Sequence, residues 1–343
     1  MRKEEEIMRR VVAIMAAVAI AGFATVASAD EVSVGASVSY TMDLNDPPAG
    51  RGNSANYEGN DESFAVDLVQ VGVSGSRGDV SYAAAINFGD LASEADDTDN
   101  GDGAQLAIAN IAYDAGGVTV TAGRFGTPIG YEVLEPWGNA HVTRSYNWGA
   151  QPINHDGVTI STAVGGADVT LGAVNNWTVS DASANDADDE MGFIAAIGTS
   201  LGDWSVNLSG LVSEESDTTD RTMANLILSG ELAGMPLAVE YNYREDDGSS
   251  KLESNGVAIY TGTSMGSADI DLRLEFVDDD GINNATELWA ATVTASWALS
   301  DGVSLRAEYR HEDADDNVFN EDSTTAADSD SLDTVAIQLV WNP

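Results

Sequence analysis

From residue 31 onward, apolar and polar residues alternate one by one over segment after segment. Val32, Val34, Ala36 and Val38, for example, are separated by Ser and Gly. Successive side chains leave opposite faces of a β-strand, so such a segment has one apolar and one polar face. On a helix the same residues would be spread around the whole circumference. The pattern therefore predicts an all-β chain.

Sixteen such strands can be counted. Most have about nine to thirteen residues, whereas the strands of soluble proteins average about five or six. A strand of about ten residues is long enough to cross a bilayer on a tilt. The predicted strands span residues 31–43, 63–75, 80–89, 104–114, 118–126, 157–164, 168–179, 190–201, 203–213, 222–232, 236–244, 255–264, 268–277, 287–299, 303–311 and 331–341.

The connections between these strands alternate strictly between tight turns and long loops. Tight turns such as Gly165-Gly166-Ala167 follow the even-numbered strands, and polar loops rich in Asp, Asn, Ser and Gly follow the odd-numbered ones. A membrane barrel with both termini in the periplasm has this asymmetry between its two rims. We therefore predict a transmembrane antiparallel β-barrel of about sixteen strands, with short periplasmic turns and long extracellular loops.

Tryptophans lie where the membrane interfaces would be. Trp289 and Trp297 share one face of the fourteenth strand, eight residues apart. At about 3.3 Å per residue and a tilt near 40°, they are about 20 Å apart along the membrane normal, close to the height of the apolar band. A soluble β-protein with these rings in its core is the alternative. The predicted aromatic girdle consists of Trp177, Trp204, Trp289, Trp297 and Trp341.

Residues 1–29 have the pattern of a secretory signal peptide. Arg9 and Arg10 precede a long apolar run, and small residues lead to a cleavage site after Ala29. Cleavage there would leave residues 30–343 as a single barrel domain, exported to the outer membrane of a Gram-negative cell.

The mature chain is strongly acidic. It has ten basic and 54 acidic residues, which gives a net charge of −44. Such a surface repels phosphate groups, which excludes nucleic acid as a partner, and it attracts cations. A saline habitat would explain the same acidity, and the sequence leaves both explanations open. With no cysteine in the chain, disulfides and thiolate chemistry are excluded, and we expect no cofactor and no metal site.

The longest connection, residues 127–156, follows the fifth strand. Unlike the other loops it is rich in aromatic and apolar residues. A loop of this length and content needs a surface to pack against, and the barrel interior is the available one. We expect the loop to fold inward and narrow the lumen. The candidate constriction residues are Arg124, Glu132, Glu135 and Arg144.

A family resemblance is carried by the run Gly123-Arg124-Phe125-Gly126-Thr127-Pro128-Ile129-Gly130-Tyr131-Glu132, with Gly157-Val158 at the next strand. This run resembles the OmpL-like family of outer-membrane β-barrel porins. A constricting loop after the fifth of sixteen strands is similar to the general diffusion porins. The resemblance implies a porin surrounded by outer-membrane lipid and lipopolysaccharide, and it implies a homotrimer.

Charged residues of both signs alternate with apolar ones on the strands opposite this loop. If they face water inside the barrel, they create a transverse field that favours polar solutes. Alternatively, they are paired charges that keep a wet wall soluble. The predicted pore wall consists of Glu240, Arg244, Asp271, Arg273, Glu275, Arg306, Glu308 and Arg310.

Together these patterns predict a water-filled channel for passive diffusion of small hydrophilic solutes, with a preference for cations. The main alternative is a structural or binding barrel whose lumen is plugged and whose acidic loops contact partners. An outer-membrane hydrolase would have to use His141, His155 or His311. Their spacing suggests no catalytic grouping, so we do not expect an enzyme.

Overall fold

The computed structural model describes residues 31–45, 63–95, 104–175, 177, 191–216, 219–281, 286–320 and 327–343, and the predicted signal peptide lies outside them. Each strand pairs antiparallel with its neighbours in sequence, and β1 pairs with β16, so the sheet closes into a barrel. Closure leaves no unpaired strand edge, as a β-structure in hydrocarbon requires. The predicted fold class is confirmed.

The bounds of the sixteen strands follow the predicted segments closely. The strands are β1 (Glu31–Asp43), β2 (Ser63–Arg77), β3 (Val80–Phe88), β4 (Ala104–Asp114), β5 (Val118–Gly126), β6 (Asn154–Val164), β7 (Ala167–Val174), β8 (Gly192–Leu201), β9 (Trp204–Ser216), β10 (Thr219–Leu232), β11 (Met235–Asp247), β12 (Lys251–Met265), β13 (Ala268–Asp279), β14 (Glu287–Ser300), β15 (Val303–Ala314) and β16 (Ser331–Trp341). Both termini of the barrel lie at the rim with the tight turns, called here the turn rim, and the opposite rim is the loop rim.

The apolar face of each strand points outward. On β1 the outward Val32 and Val38 are exposed, whereas the inward Ser37 and Ser39 are buried. This is the reverse of a soluble protein, in which the apolar face is covered. At the β6–β7 turn, Gly165 and Gly166 have φ angles of 60° and 88°, values that glycine adopts without strain in a tight hairpin.

Two connections at the loop rim are shorter than predicted. Two residues separate β9 from β10, and three separate β11 from β12. The strands run further because polar residues continue the ladder, as in the pairing of Asp247 with Lys251. The prediction of strictly alternating long and short connections was therefore wrong at these two places.

The long loop after β5 lies inside the barrel. Because β6 begins at Asn154, the loop spans residues 127–153 and is named here the inner loop. It contains a 3-10 turn at Pro136–Gly138 and a helical turn at Tyr146–Gly149. In the part of the chain that the structure describes, no helix is both long and apolar enough to cross a membrane.

Candidate pore constriction

The two ends of the inner loop meet at its root. A Cβ on Gly130 would lie 1.7 Å from Oε1 of Gln151, so only glycine fits there. Next to this contact Ile129 is buried in an apolar cluster on the inner wall. The cluster also contains Phe125, Val174, Ile194, Leu211 and Met223. The root is therefore fixed to β7–β10, and the remainder of the loop extends across the lumen.

Arg273 on β13 holds the loop against the far wall. Its Nη1 donates to Oε1 of Glu132 at 2.7 Å and to the carbonyl of Thr143 at 2.8 Å, both on the loop. Its Nε donates to Oε1 of Glu275 on its own strand at 2.8 Å. The guanidinium is fully buried. A buried charge is tolerated only when it is paired and hydrogen-bonded, and Arg273 meets both conditions through the loop.

A second buried pair extends this contact to β15. Nη1 of Arg310 donates to Oε1 of Glu275 at 2.9 Å and to the carbonyl of Arg144 at 3.1 Å. Glu275 also accepts from the amide of Tyr146 at 2.7 Å, and the Tyr146 hydroxyl donates to Glu312 at 2.6 Å. Glu275 and Glu312 are thus each bonded to a loop group as well as to an arginine.

Glu308 on β15 is held by loop amides. It accepts from the amides of Val142 at 2.6 Å and Thr143 at 2.9 Å, and from the hydroxyl of Thr294 at 2.6 Å. His141 lies beside it, with Nδ1 2.7 Å from the Thr294 hydroxyl. Burial and the surrounding arginines hold the pKa of His141 well below its ordinary value, so its ring is neutral at pH 7.

The inner loop also reaches β11, β12, β1 and β2. Glu240 on β11 accepts from the amide of Tyr131 at 3.0 Å, and Gln70 on β2 donates to Glu135 at 2.8 Å.

Trp137 lies on Gly35 of β1, where a Cβ would come within 2.4 Å of its ring. Asn147 similarly occupies the space over Gly256 on β12. Glycines on the inner face of the wall therefore leave space into which side chains of the inner loop pack.

Most of the predicted site residues come together in one buried layer between the inner loop and the barrel wall, called here the sealed layer. They do not line water, because each is at most 5 % exposed. The expectation that they form an accessible pore wall is therefore wrong for them, and the paired-charge alternative describes them better. The layer contains Glu132, Arg144, Glu240, Arg273, Glu275, Glu308 and Arg310. Arg306, at 7 % exposed, joins its edge by donating to the carbonyl of Pro136 at 2.9 Å.

Arg124 does not belong to the constriction. On β5 it shares the outward face with Val118 and Val120, because even numbers of positions separate them. It pairs across the ladder with Asp156 on that same outer face. There its Nε and Nη2 donate to both carboxylate oxygens of Asp156, at 2.9 and 2.8 Å. Its closeness in sequence to the inner loop was misleading, because alternation on β5 sets its direction.

Trp177 does not belong to the outer girdle. Because β7 ends at Val174 rather than at residue 179, Trp177 lies beyond the strand and is buried inside the barrel. Its ring lies 4.6 Å from the guanidinium carbons of both Arg221 and Arg244, which permits cation–π attraction from two arginines. Asp246 pairs with both arginines, at 2.7 and 2.8 Å. This places the predicted wall residue Arg244 at the loop rim, away from Arg273.

The other four tryptophans of the predicted girdle lie on the outer face. Trp289 and Trp341 are 38 % and 40 % exposed, and Trp204 and Trp297 alternate in step with exposed apolar neighbours on their strands. Sequence reasoning missed Arg221, Gly35 and Gly256. An inward glycine within an alternating strand was the available signal for the last two.

Near the turn rim the inner face is acidic and accessible. Asp168 on β7, Glu231 on β10 and Asp269 on β13 are exposed, and Asp271 is half-buried. Ser, Thr, Gly and Ala fill most of the other inner positions. Between Arg306 and the turn rim, the inner face of the described strands carries no lysine or arginine. Mobile ions at this end therefore meet carboxylates without competing fixed cations.

Solved structures of porins are similar to this barrel. The anion-selective porin from Comamonas acidovorans superposes with a TM-score of 0.63 and 14 % identity, covering 92 % of this chain and 100 % of that one. The trimer form of OmpT from Vibrio cholerae gives 0.61 and 10 %, covering 92 % and 100 %. OmpF from Salmonella typhi, in complex with daunomycin, gives 0.63 and 10 %, covering 92 % and 97 %. At these identities the likeness shows the fold alone.

The sequence itself matches a family model. The model describes β-barrel porin-2, OmpL-like proteins, and it matches residues 31–340. None of the curated proteins matches the sequence significantly. The match covers nearly the whole barrel, including the inner loop and the strands that hold it. The chain therefore belongs to the OmpL-like family of β-barrel porins and is a multi-pass protein of the outer membrane.

Proposed function

We propose that this porin is a cation-preferring channel for the passive diffusion of small hydrophilic solutes. The observation that carries the proposal is the contrast between its accessible acids and its immobilised arginines. The inner face near the turn rim presents four carboxylates, whereas the arginines that face the lumen in the described part of the chain are at most 14 % exposed. These arginines are Arg144, Arg221, Arg244, Arg273, Arg306 and Arg310. Fixed carboxylates raise the local concentration of cations.

The inner loop supplies the size limit in this proposal. Its contacts with β1, β2 and β11–β15 hold it in one place across the lumen. A loop fixed by buried ion pairs would keep the passage beside it at a constant width, as a passive filter requires. Trp204, Trp289, Trp297 and Trp341 would then mark the two membrane interfaces.

Removing the accessible inner carboxylates is expected to lower the preference for cations. In the variant D168N/E231Q/D269N/D271N, the permeability ratio of K⁺ to Cl⁻ should fall towards one, because the fixed charge at the turn rim is gone. The effect should be largest at low salt, since screening at 0.1 M already limits such fields to about 10 Å. Reversal potentials in planar bilayers under a KCl gradient measure the ratio.

A charge-matched control comes from acids on the outer face of the barrel at the loop rim. The variant D278N/E287Q/D313N/D315N removes four carboxylates that surround an outer groove beside Trp289. Its permeability ratio should change much less. Anion preference in the wild type, or an equal fall in both variants, would argue against inner carboxylates as the source of selectivity.

A plugged barrel is the second candidate function. It is favoured by the number of strands that the inner loop contacts and by the complete burial of Val142, Thr143 and Ser145. In that case the loop is a stopper, and binding at the acidic surface is the function. The deletion argued in the Discussion separates the two candidates.

The wall formed by β3–β7, which contains the shortest strands, is proposed as the contact of a homotrimer. β3 and β5 have nine residues and β7 has eight, whereas β10 and β14 have fourteen. On this wall the Arg124–Asp156 pair faces outward, with side chains 12 % and 32 % exposed. An ion pair facing acyl chains is costly, and a neighbouring subunit would shield it. The similar OmpT structure is described as a trimer.

The double variant R124A/D156A is expected to shift detergent-purified protein from trimer towards monomer, because it removes the polar contact of this wall. Light scattering on a sizing column measures the mass. As control, D333N on the outer face of β16, outside the β3–β7 wall, removes the partner of His311, 2.8 Å away, and should leave the mass unchanged. A wild-type protein that is monomeric throughout would refute the trimer.

Residues 1–29 are proposed as a cleaved signal peptide. The pattern that supports it is the pair of arginines, the apolar run and the small residues before Asp30. N-terminal sequencing of protein purified from outer membranes should begin at Asp30.

A further inference from the structure

A recess of about 450 Å³ lies between the inner loop and strands β10–β13, on the side of the loop that faces the turn rim. The volume is within the range of about 300–1,000 Å³ that small-molecule sites have. The loop contributes Tyr131, Glu132 and His141, and the wall contributes apolar residues near the β10–β11 turn together with Asp271. It borders the sealed layer at Glu132, and its lining does not include the exposed acids Asp168, Glu231 and Asp269.

Asp271 is the available charge in this recess. It is half-buried, and no described residue donates a hydrogen bond to its carboxylate. Gly262 makes room for it, since a Cβ on Gly262 would lie 2.3 Å from Oδ1 of Asp271. The other acid of the lining, Glu132, is buried and bound by Arg273 at 2.7 Å. A single carboxylate therefore remains to meet a ligand.

The rest of the lining combines aromatic and apolar side chains with uncharged polar ones such as Asn139 and Ser229. Tyr131 is 42 % exposed, and its ring lies 4.3 Å from that of the buried Tyr260. Pro236 and Ala238 form the adjoining wall. The lining contains no lysine or arginine, which leaves an anion without a partner. A hydrated inorganic cation would gain little from the apolar wall, whereas a cation with an apolar body would gain from burial and from the tyrosine face.

We propose that this recess binds organic cations, namely ammonium groups attached to an apolar or aromatic body. Asp271 is the counter-ion, Tyr131 covers the body of the ligand, and Gly262 positions the carboxylate. This proposal identifies organic cations as a solute class of the channel. It rests on the proposed function, because the solute reaches the recess through the channel. Binding itself depends only on the residues that line the recess.

Calorimetric titration of the detergent-purified protein with benzyltrimethylammonium tests the site. D271N should weaken binding about three- to tenfold, because it removes the counter-ion in a half-buried setting. Y131A should weaken it about threefold, through loss of the ring face. G262A should also weaken it, because the carboxylate is displaced without loss of charge. The matched control is D269N, which removes a charge from the same inner face but outside the recess.

Besides an absence of binding, two results would overturn the inference. One is affinity that D271N and D269N lower equally, which would indicate diffuse attraction by the acidic lumen. The other is affinity for benzyl alcohol, a neutral analogue, equal to that for the cation. K⁺ currents recorded in parallel keep the two proposals apart. Cation-selective current without binding of benzyltrimethylammonium would refute only this inference. Binding without such a current would refute only the channel function.

Discussion

Deleting residues 131–150 is expected to raise the single-channel conductance several-fold. The deleted segment carries almost all contacts of the inner loop with the far wall, including those to Arg273 and Glu308. Gly130 and Gln151 are already neighbours, so a short Gly-Ser link can join them without strain. The ladder of sixteen strands does not include the loop, so the barrel should still close.

The starting value of the conductance distinguishes the two candidate functions. A measurable wild-type current that rises on deletion identifies the loop as a filter. A wild-type current near zero that appears only on deletion identifies it as a plug. An unchanged current would contradict both, because it would mean that the loop does not limit the lumen. The heat-dependent shift in gel mobility that folded barrels show provides the control that the variant is assembled.

The strands of this barrel could be predicted from the sequence because alternation is a local signal. On β1 the predicted bounds agree with the structure, since its apolar face runs without interruption from Val32 to Met42. At β9–β12 the ends were missed because both faces become polar above the membrane, where Asp247 still pairs with Lys251. Alternation of apolar and polar residues is absent there although the hydrogen-bonded ladder continues.

For the candidate site, the sequence predicted which face of the barrel each side chain lies on but not how deeply the side chains are buried. Alternation correctly placed Arg273, Glu275 and Glu308 on the inner face. It could not show that the inner loop covers them, because the covering contacts join residues more than 120 positions apart, as in Arg273 and Thr143. The errors at Arg124 and Trp177 have local causes. The first was assigned by closeness in sequence to the loop, and the second by extending β7 past its true end.

Replacing Arg273 by methionine is expected to detach the inner loop from β13. The variant R273M leaves Glu132 without its arginine and leaves Glu275 with Arg310 as its remaining guanidinium partner. Breaking one partner from a buried ion pair costs about 3–5 kcal/mol. The amides of Val142 and Thr143, which donate to Glu308 in the closed loop, should then exchange hydrogen faster, and channel current should become noisier.

The compensated variant E132Q/R273M decides whether charge or shape holds the loop. Removing both members of a buried pair costs much less than removing one, because no uncompensated charge is left behind. The carboxamide that E132Q introduces still offers an oxygen to the amide of Ser145, which donates to the native carboxylate at 2.6 Å. Amide exchange and current noise should therefore return most of the way to wild type. R77M, at the exposed end of β2, controls for the loss of an arginine and should match wild type in both measurements. If R273M behaves like R77M, the loop is held by its remaining contacts, and the ion pairs with β13 are a consequence of its position rather than the cause.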